Sequence, residues 1–302
     1  MTEYAIETHG LSVYYGRHRG ILNVDLRVEQ GEVFGFLGPN GAGKTTTQRV
    51  LVDIIRPTAG EARIFGLDCQ KEGVAVRERV GYLPGELAMY EGMRTRRFFR
   101  MYASLQKGNK DPDYWQTLAD RLELDTSRRI GQLSRGNKQK VGVVTAFMGK
   151  PDLLILDEPT TGLDPLVQQT VMELVREANG AGATVFFSSH ILPEVQAVCH
   201  RVGIIREGQL VATERVEDLM TQHFKRLRLR FASEPPEDAF AGEGVTVLAR
   251  DLQGMTLEIR QDLDRVMTEA ASYGITDIET IHVSLEEIFL AYYGKGNGGG
   301  NG

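Results

Sequence analysis

The sequence has few of the features that mark secreted, membrane-spanning or nucleic-acid-binding proteins. Its two cysteines, Cys69 and Cys199, lie far apart and without metal-ligand spacing, so we expect reduced, inert thiols. No apolar run approaches the ~18 residues that cross a bilayer, and the opening Met-Thr-Glu-Tyr is not a basic-then-apolar signal. The net charge of −6 argues against a general nucleic-acid binder.

The most informative segment, residues 38–45, reads Gly-Pro-Asn-Gly-Ala-Gly-Lys-Thr, a complete phosphate-binding loop. Its glycines lack the side chains that would hold the backbone away from phosphates, so the backbone N–H groups can point at a β-phosphate. Lys44 adds a positive charge near the β- and γ-phosphates, and Thr45 offers a hydroxyl to magnesium. The pattern predicts a nucleoside triphosphate site in a protein of ordinary globular composition, with 302 residues, 41% of them hydrophobic.

The flanking segments have the structure that such a loop requires. The apolar run at residues 32–37 predicts a buried parallel strand. A helix is predicted from the loop to about Ile55, where Arg56-Pro57 stops it. The buried stripe predicted for this helix consists of Val50, Leu51, Ile54 and Ile55.

Two further apolar strands end in polar side chains. Residues 153–157 predict a strand with Asp157 at its carboxyl end, where the carboxylate would hold magnesium. Glu158 follows and could orient or deprotonate the attacking water. Residues 184–189 predict a third strand, followed by His190. A lone histidine is more often structural, but a strand end beside a phosphate site favours a γ-phosphate contact.

Read together, these motifs resemble the ATP-binding subunits of ABC transporters over about residues 4–215. The matching parts, in the family's order, are the adenine-stacking Tyr15, the Walker A loop at 38–46, the signature segment at 133–137, Walker B at 153–159, the D-loop at 162–164 and the switch histidine His190. The nucleotide contacts that the resemblance implies are Tyr15, Gly38, Asn40, Gly41, Ala42, Gly43, Lys44, Thr45, Thr46, Ser134, Gly136 and Asp164. It also implies Mg²⁺ at Thr45 and Asp157, and catalytic roles for Glu158, His190 and Lys44.

The resemblance implies that two subunits sandwich two ATP molecules head to tail. Ser134 and Gly136 would then contact the γ-phosphate across the dimer, at the start of a helix whose dipole favours an anion. Because this chain contains one phosphate-binding loop and one signature, it needs a second copy or a related subunit. A symmetric homodimer is the simpler expectation.

Two positions depart from the family's pattern. The signature reads Ser-Arg-Gly-Asn instead of Ser-Gly-Gly-Gln, and Arg135 either adds positive charge near the nucleotide or partner or is simply an exposed arginine. The family usually has glutamine where this chain has Gly85. We hypothesise that Glu86 substitutes for that glutamine and that coupling to the membrane subunit is altered.

The chain is predicted to be an α/β protein, a P-loop NTPase core of the ABC ATPase type followed by a small α/β domain. The predicted parts are an ABC ATPase domain at 1–218, with an antiparallel β subdomain from 4–37 and 62–65 and a helical subdomain at about 86–145, then an accessory or regulatory domain at 219–294 and a disordered Gly-rich tail at 295–302. In the accessory domain we expect strands at 225–231, 245–250, 255–260 and 275–283, a helix at 262–273 and a final helix opened by a capping box at 284–287.

Two groups of arginines allow alternative interpretations. Arg226, Arg228 and Arg230 share one face of a strand, and a solvated sheet face is favoured over a nucleic-acid patch. The arginines at positions 94, 96, 97 and 100 lie among Phe98, Phe99 and Tyr102. They indicate either a solvated helix face or a surface that meets a permease or anionic lipid headgroups.

The segment 284–294 resembles the tails of ATPases that serve ABC-2 type exporters of antibiotics, sodium or lipids. We therefore expect the ATPase subunit of an exporter, held at the cytoplasmic face of the membrane by a separate permease, with no nucleic-acid partner. An importer subunit remains an alternative. A non-transport ABC ATPase of DNA repair or translation is a further alternative, but the chain has neither a long heptad insert nor a second ABC module.

Overall fold

The computed structural model describes residues 3–106, 111–218, 225–236, 239–240, 242–251 and 254–281. The chain divides into two compact units, Met1–Glu214 and Arg215–Gly302. This division falls near the predicted boundary after residue 218, while the roles assigned to the two domains remain predictions.

The first unit contains an antiparallel sheet of four strands and a mainly parallel sheet of six. The antiparallel sheet has the order β2-β1-β4-β5 and consists of β1 (Tyr4–Tyr15), β2 (His18–Glu29), β4 (Ala59–Ile64) and β5 (Leu67–Asp68). The second sheet has the order β10-β9-β3-β8-β7-β6 and consists of β3 (Val33–Leu37), β6 (Val80–Leu83), β7 (Leu153–Asp157), β8 (Thr184–Ser189), β9 (Arg201–Arg206) and β10 (Gln209–Arg215).

The parallel strands place their carboxyl ends at one edge of the second sheet. Strands β6, β7, β8, β3 and β9 all run parallel. Leu37 pairs with Ser189 in register, and Asp157 pairs with Ser188. The residues that follow β3, β7 and β8 therefore meet at this edge, where open α/β sheets bind their ligands.

Helices connect and cover these strands. They are α1 (Lys44–Leu51), α2 (Gly73–Glu78), α3 (Thr95–Leu105), α4 (Tyr114–Arg121), a 3₁₀ turn (Ile130–Gln132), α5 (Arg135–Phe147), α6 (Pro165–Gly180) and α7 (Leu192–Val198). None of the described helices is long and apolar enough to span a membrane.

In the predicted helical subdomain the arginines at 94, 96, 97 and 100 are exposed, whereas Phe98 and Phe99 are buried. Both interpretations of these arginines require that exposure.

The prediction for α1 was wrong at its end. The helix stops at Leu51 instead of about Ile55, because Asp53 adopts a left-handed φ of 57° and the amide of Ile54 reaches back to the Arg49 carbonyl at 2.8 Å. Val50 and Leu51 are buried as predicted, and Ile55 packs partly against the core. Ile54, by contrast, is 57% exposed and does not belong to the buried stripe.

One hydrophobic core joins both sheets and α1. Phe186 packs against Phe34 and Phe36, with ring centroids 5.9 and 5.2 Å apart, and the same core includes Ile21 and Val24 of the antiparallel sheet. Cys69 also lies in this core, where burial raises the pKa of its thiol to about 12. A thiol with so high a pKa is unreactive, as predicted.

The second unit has its own sheet and core. The sheet order is β12-β13-β11-β14, from β11 (Lys225–Phe231), β12 (Val245–Asp251), β13 (Gly254–Ile259) and β14 (Ile275–Ile281), and every pair is antiparallel. Helix α8 (Leu263–Ser272) contributes Val266 and Ala270 to a core with Leu229 and Phe240. The predicted final helix and Gly-rich tail lie outside the described residues.

The alternation predicted for β11 is confirmed. Leu227 and Leu229 are buried on one face. On the other face each arginine pairs with a carboxylate: Arg226 with Glu258 at 3.2 Å, Arg228 with Asp251 at 2.7 Å and Arg230 with Asp277 at 3.9 Å. Because carboxylates neutralise these charges, the face is an ion-paired sheet surface and not a basic patch.

We expect Arg226→Ala to destabilise the second unit by about 2 kcal/mol, because it removes a charge-assisted hydrogen bond to Glu258 Oε2, while Arg260 still pairs with Glu258 Oε1 at 2.7 Å. Side chains of this pair are only 17% and 11% exposed. Arg230→Ala is the matched control, since its pair is 44% and 57% exposed and such pairs contribute at most ~1 kcal/mol. Urea unfolding of the full chain measures both, and equal losses in the two variants would contradict the prediction.

Candidate nucleotide site

The phosphate-binding loop takes its shape from glycines that cannot be replaced. At Gly38 a Cβ would collide with the carbonyl of Ile205. Gly43 has a φ of 109°, and a Cβ there would lie 2.6 Å from Ile21. Only glycine combines this backbone conformation with so close an approach. Helix α1 begins at the next residue, so its N-terminus and free N–H groups face the loop.

Lys44 is buried and curls back over the loop. Its Nζ donates to the carbonyls of Gly38 at 2.6 Å and Pro39 at 3.2 Å, and it lies 3.8 Å from Glu158 Oε1. Burial lowers the pKa of Lys44, while the carboxylates of Glu158 and Asp157 act in the opposite direction. A buried ammonium group, which is poorly hydrated, forms strong charge-assisted hydrogen bonds with phosphate oxygens.

Asp157 is held by two hydroxyl groups from other elements. Thr45 Oγ1 donates to its Oδ2 at 2.7 Å, and Ser188 Oγ donates to its Oδ1 at 2.6 Å. The carboxylate is 1% exposed. Thr45 and Asp157 were predicted to share a magnesium site, and their side chains are in contact in the structure. Ser188 was not predicted, although it is the register partner of Asp157 on β8.

Glu158 is fixed by its neighbours in an uncommon conformation. Its φ is 48°, and its amide donates to the Ser188 carbonyl at 3.1 Å. Its Oε1 lies 3.0 Å from His190 Nδ1, and its Oε2 accepts from Thr161 Oγ1 at 3.3 Å. Gln139 donates to the Glu158 carbonyl at 3.2 Å. Left-handed residues that the surroundings over-determine in this way cluster at functional sites.

Tyr15 stands at the rim of the same depression. It is 47% exposed, and its hydroxyl lies 3.4 Å from Thr46 Oγ1. The depression holds about 270 Å³ and is lined by Tyr15, Arg19, Gly20, Asn40, Gly41, Gly43, Lys44, Thr45, Thr46 and Glu158. Arg19 was not predicted to line the site. The β1–β2 hairpin, in which Tyr14 pairs with Arg19, could have indicated that Arg19 lies near Tyr15.

We expect Tyr15→Ala to raise the Kd for ATP about tenfold, because stacking on a base contributes ~1–3 kcal/mol. Tyr15→Phe keeps the ring and is expected to bind ATP as the unmodified protein does. Tyr14→Ala is the matched control, since Tyr14 is 44% exposed and does not line the depression. Titration with a fluorescent ATP analogue measures all three. Equal effects of the Tyr14 and Tyr15 changes would exclude a specific stacking role.

The signature and D-loop residues do not line this depression. Ser134 caps α5 by accepting from the Asn137 amide at 3.3 Å, and Asp164 caps α6 by accepting from the Val167 amide at 3.1 Å. Gly136 lies against Gly162, where a Cβ would come within 2.7 Å of the carbonyl oxygen. The signature segment and the D-loop thus lie close together within one chain. Arg135, which precedes Gly136 in the sequence, is exposed.

Gly85 lies beside the Asp157 carboxylate. A Cβ at Gly85 would be 2.9 Å from Asp157 Oδ2, so the family's glutamine could not enter without moving that carboxylate. The Glu86 side chain is 92% exposed and lies 3.9 Å from Arg49. The role of Glu86 as a substitute therefore stays a hypothesis.

Burial and the Asp157 charge raise the pKa of nearby Tyr82 to about 12, which keeps its phenol neutral.

A strand, a phosphate-binding loop and a helix, with a buried lysine and an acidic residue on the next strand but one of the same parallel sheet, define a P-loop NTPase. Residues 21–161 match the family model described as ABC transporter. The bacitracin transport ATP-binding protein BcrA of Bacillus licheniformis is 31% identical over 98% of both chains. The chain belongs to the ABC transporter family and is an ATP-binding subunit with ATPase activity.

Other relatives and solved structures agree. The daunorubicin/doxorubicin resistance ATP-binding protein DrrA of Streptomyces peucetius is 34% identical over 96% of this chain and 92% of its own length. The Nod factor export ATP-binding protein I of Paraburkholderia xenovorans is 35% identical over 98% and 99%. A solved ATP-binding subunit of an ABC transporter has a TM-score of 0.67 at 28% identity, covering 72% of this chain and 92% of its own. These matches confirm the predicted fold class and family.

Proposed function

We propose that this chain is the ATP-hydrolysing subunit of a membrane exporter whose permease is a separate protein. The names of the full-length relatives support export, since they include transport of bacitracin, resistance to daunorubicin and export of Nod factor. The observation that carries the hydrolytic part is the connected cluster around Glu158. This carboxylate lies 3.0 Å from His190 and 3.8 Å from Lys44, beside the Thr45–Asp157 pair.

The residues present fit a magnesium ion. Thr45 and Asp157 offer a hydroxyl and a carboxylate, which are hard oxygen donors of the kind Mg²⁺ prefers. Their mutual hydrogen bond and the bond from Ser188 fix both groups before any ion arrives. A magnesium ion held by Thr45 and Asp157 would neutralise charge on the β- and γ-phosphates.

Each remaining side chain has a distinct task in hydrolysis. Lys44 exchanges its carbonyl partners for phosphate oxygens, which are stronger acceptors. Glu158 takes a proton from the water whose oxygen bonds to the γ-phosphorus, while the bond to the bridging oxygen breaks and ADP carries away its electrons. His190 contacts the γ-phosphate and keeps the Glu158 carboxylate in place. Tyr15 stacks on adenine, and Arg19 lies beside it at the rim.

A second copy completes the site. Ser134, Gly136 and Asp164 do not line the depression of their own chain, so we assign them to the nucleotide of the partner in a head-to-tail homodimer. The start of α5 directs its free N–H groups at the γ-phosphate. ATP binding closes the dimer, closure drives the permease, and hydrolysis resets it. The subunit is held at the cytoplasmic face of the membrane through that permease.

Mixing two inactive variants tests the shared site. Ser134→Asp keeps a side chain that caps a helix but places negative charge beside the partner's γ-phosphate. Lys44→Ala removes the cation of the chain's own loop. A mixed dimer contains one site with neither change, so a 1:1 mixture should recover up to about a quarter of the unmodified ATPase rate. Two inactive variants whose mixture is also inactive would contradict the head-to-tail arrangement.

A further inference from the structure

Glu194 is a carboxylate beside the site that no step of hydrolysis uses. It lies in the first turn of α7, four residues after His190. Its Oε2 lies 3.1 Å from Ser189 Oγ, and its Oε1 is enclosed by protein. Burial raises the pKa of Glu194, while the hydroxyls of Thr160 and Ser189 and the charge of His190 act in the opposite direction. A buried carboxylate loses favourable hydration, so its presence at this position requires a structural or functional explanation.

The Ser189 hydroxyl connects Glu194 to the backbone on both sides of His190. Ser189 Oγ accepts from the Ile191 amide at 2.8 Å, so this hydroxyl links the two residues that flank His190. A hydroxyl has a single proton to donate. Glu194 offers the nearer acceptor for that proton at 3.1 Å, whereas the Ile191 carbonyl lies at 3.4 Å. The carboxylate thereby orients the hydroxyl so that its lone pair faces the Ile191 amide and closes the turn.

The other oxygen of Glu194 forms no such link. Oε1 is buried and has no hydrogen-bond partner among the described residues. Thr160 is 1% exposed, and its hydroxyl acts to lower the pKa of Glu194 against the effect of burial. The hydrogen bond through which Glu194 can act on its surroundings is therefore the one with Ser189.

We propose that Glu194 is a positioning residue for ATP hydrolysis. It holds the turn around His190 through the Ser189 hydroxyl and so maintains the 3.0 Å contact between His190 and Glu158. It acts through Ser189 and does not line the depression assigned to the nucleotide. This inference rests on the hydrolytic roles proposed for Glu158 and His190.

Steady-state ATPase kinetics of the full chain test the inference. We expect Glu194→Ala to lower kcat by about 10-fold to 100-fold, since small misplacements near reacting groups have effects of this size, with KM and the Kd of a fluorescent ATP analogue changed less than about twofold. Glu194→Gln should recover most of kcat, because the amide oxygen still accepts from Ser189. Gln196→Ala, on the exposed side of the same helix, is the matched control and should change nothing.

A double-mutant cycle identifies the residue through which Glu194 acts. If it acts through His190, adding Glu194→Ala to His190→Ala should lower kcat no further. Additive losses, an unchanged kcat in Glu194→Ala, or a Glu194→Gln variant as slow as Glu194→Ala would each overturn the proposal. Should Glu194→Ala not fold, Ser189→Ala breaks the same connection and is expected to show the same selective loss of kcat. Turnover in Glu158→Gln would refute the role proposed for Glu158 itself. This measurement therefore distinguishes failure of the proposed hydrolytic mechanism from failure of the proposal for Glu194.

Discussion

Glu158→Gln is expected to lower ATP turnover at least about 100-fold while leaving ATP binding and ATP-dependent dimer closure intact. An amide cannot accept the proton of the attacking water, and loss of a general base has effects of ~10²–10⁴-fold. Glutamine keeps the size of glutamate and can still bond to His190 and Thr161, which contact the carboxylate at 3.0 and 3.3 Å. The pocket for ATP therefore stays formed.

Phosphate release and size-exclusion chromatography in ATP measure the two parts of this prediction. Glu173→Gln is a suitable control, because its side chain is 58% exposed and pairs with Arg121 outside the site. We expect the Glu158 variant to elute as an ATP-stabilised dimer that does not turn over. Normal turnover in that variant would remove Glu158 from the mechanism.

Lys44→Ala is expected to weaken ATP binding about 100-fold. Loss of one partner from a buried, charge-assisted contact has effects of ~2–5 kcal/mol, and Lys44 Nζ is enclosed among the Gly38 carbonyl, the Pro39 carbonyl and the Glu158 carboxylate. Without the cation, the phosphates would face the carboxylates of Glu158 and Asp157 directly. Hydrolysis should be lost together with binding.

Lys150→Ala serves as the matched control for that change. This lysine is 59% exposed and pairs with Asp111. Titration with a fluorescent ATP analogue gives the Kd of both variants, and thermal unfolding without nucleotide checks that both are folded. A Lys44 variant that is folded and binds ATP with unchanged Kd would contradict the assignment of this loop.

The strands that build the site were predictable from the sequence. Segments 153–157 and 184–189 were predicted with the bounds that the structure shows. Strands of a parallel sheet that are buried on both faces appear as unbroken apolar runs. Since the carboxyl ends of such strands meet at one edge, the pattern also predicted that Lys44, Asp157 and His190 lie close together.

Features set by tertiary contacts were harder to predict. The end of α1 was missed because Ile54 continues the apolar spacing of the helix, whereas the turn depends on Asp53 in a left-handed conformation without a glycine to signal it. The hydrogen bond from the Ser188 hydroxyl to Asp157 depends on strand register, which local sequence does not specify. The Glu194 contact with Ser189 likewise depends on how α7 packs after the histidine turn.

The most direct test of the central proposal is purification of the tagged full chain from its native membranes in mild detergent. The Glu158→Gln variant with ATP is compared with the Lys44→Ala variant. We predict that a polytopic membrane protein co-purifies in stoichiometric amount and stimulates the ATPase activity of the unmodified chain. Stoichiometric recovery of ribosomal or DNA-processing proteins in place of a membrane protein would contradict a role in export.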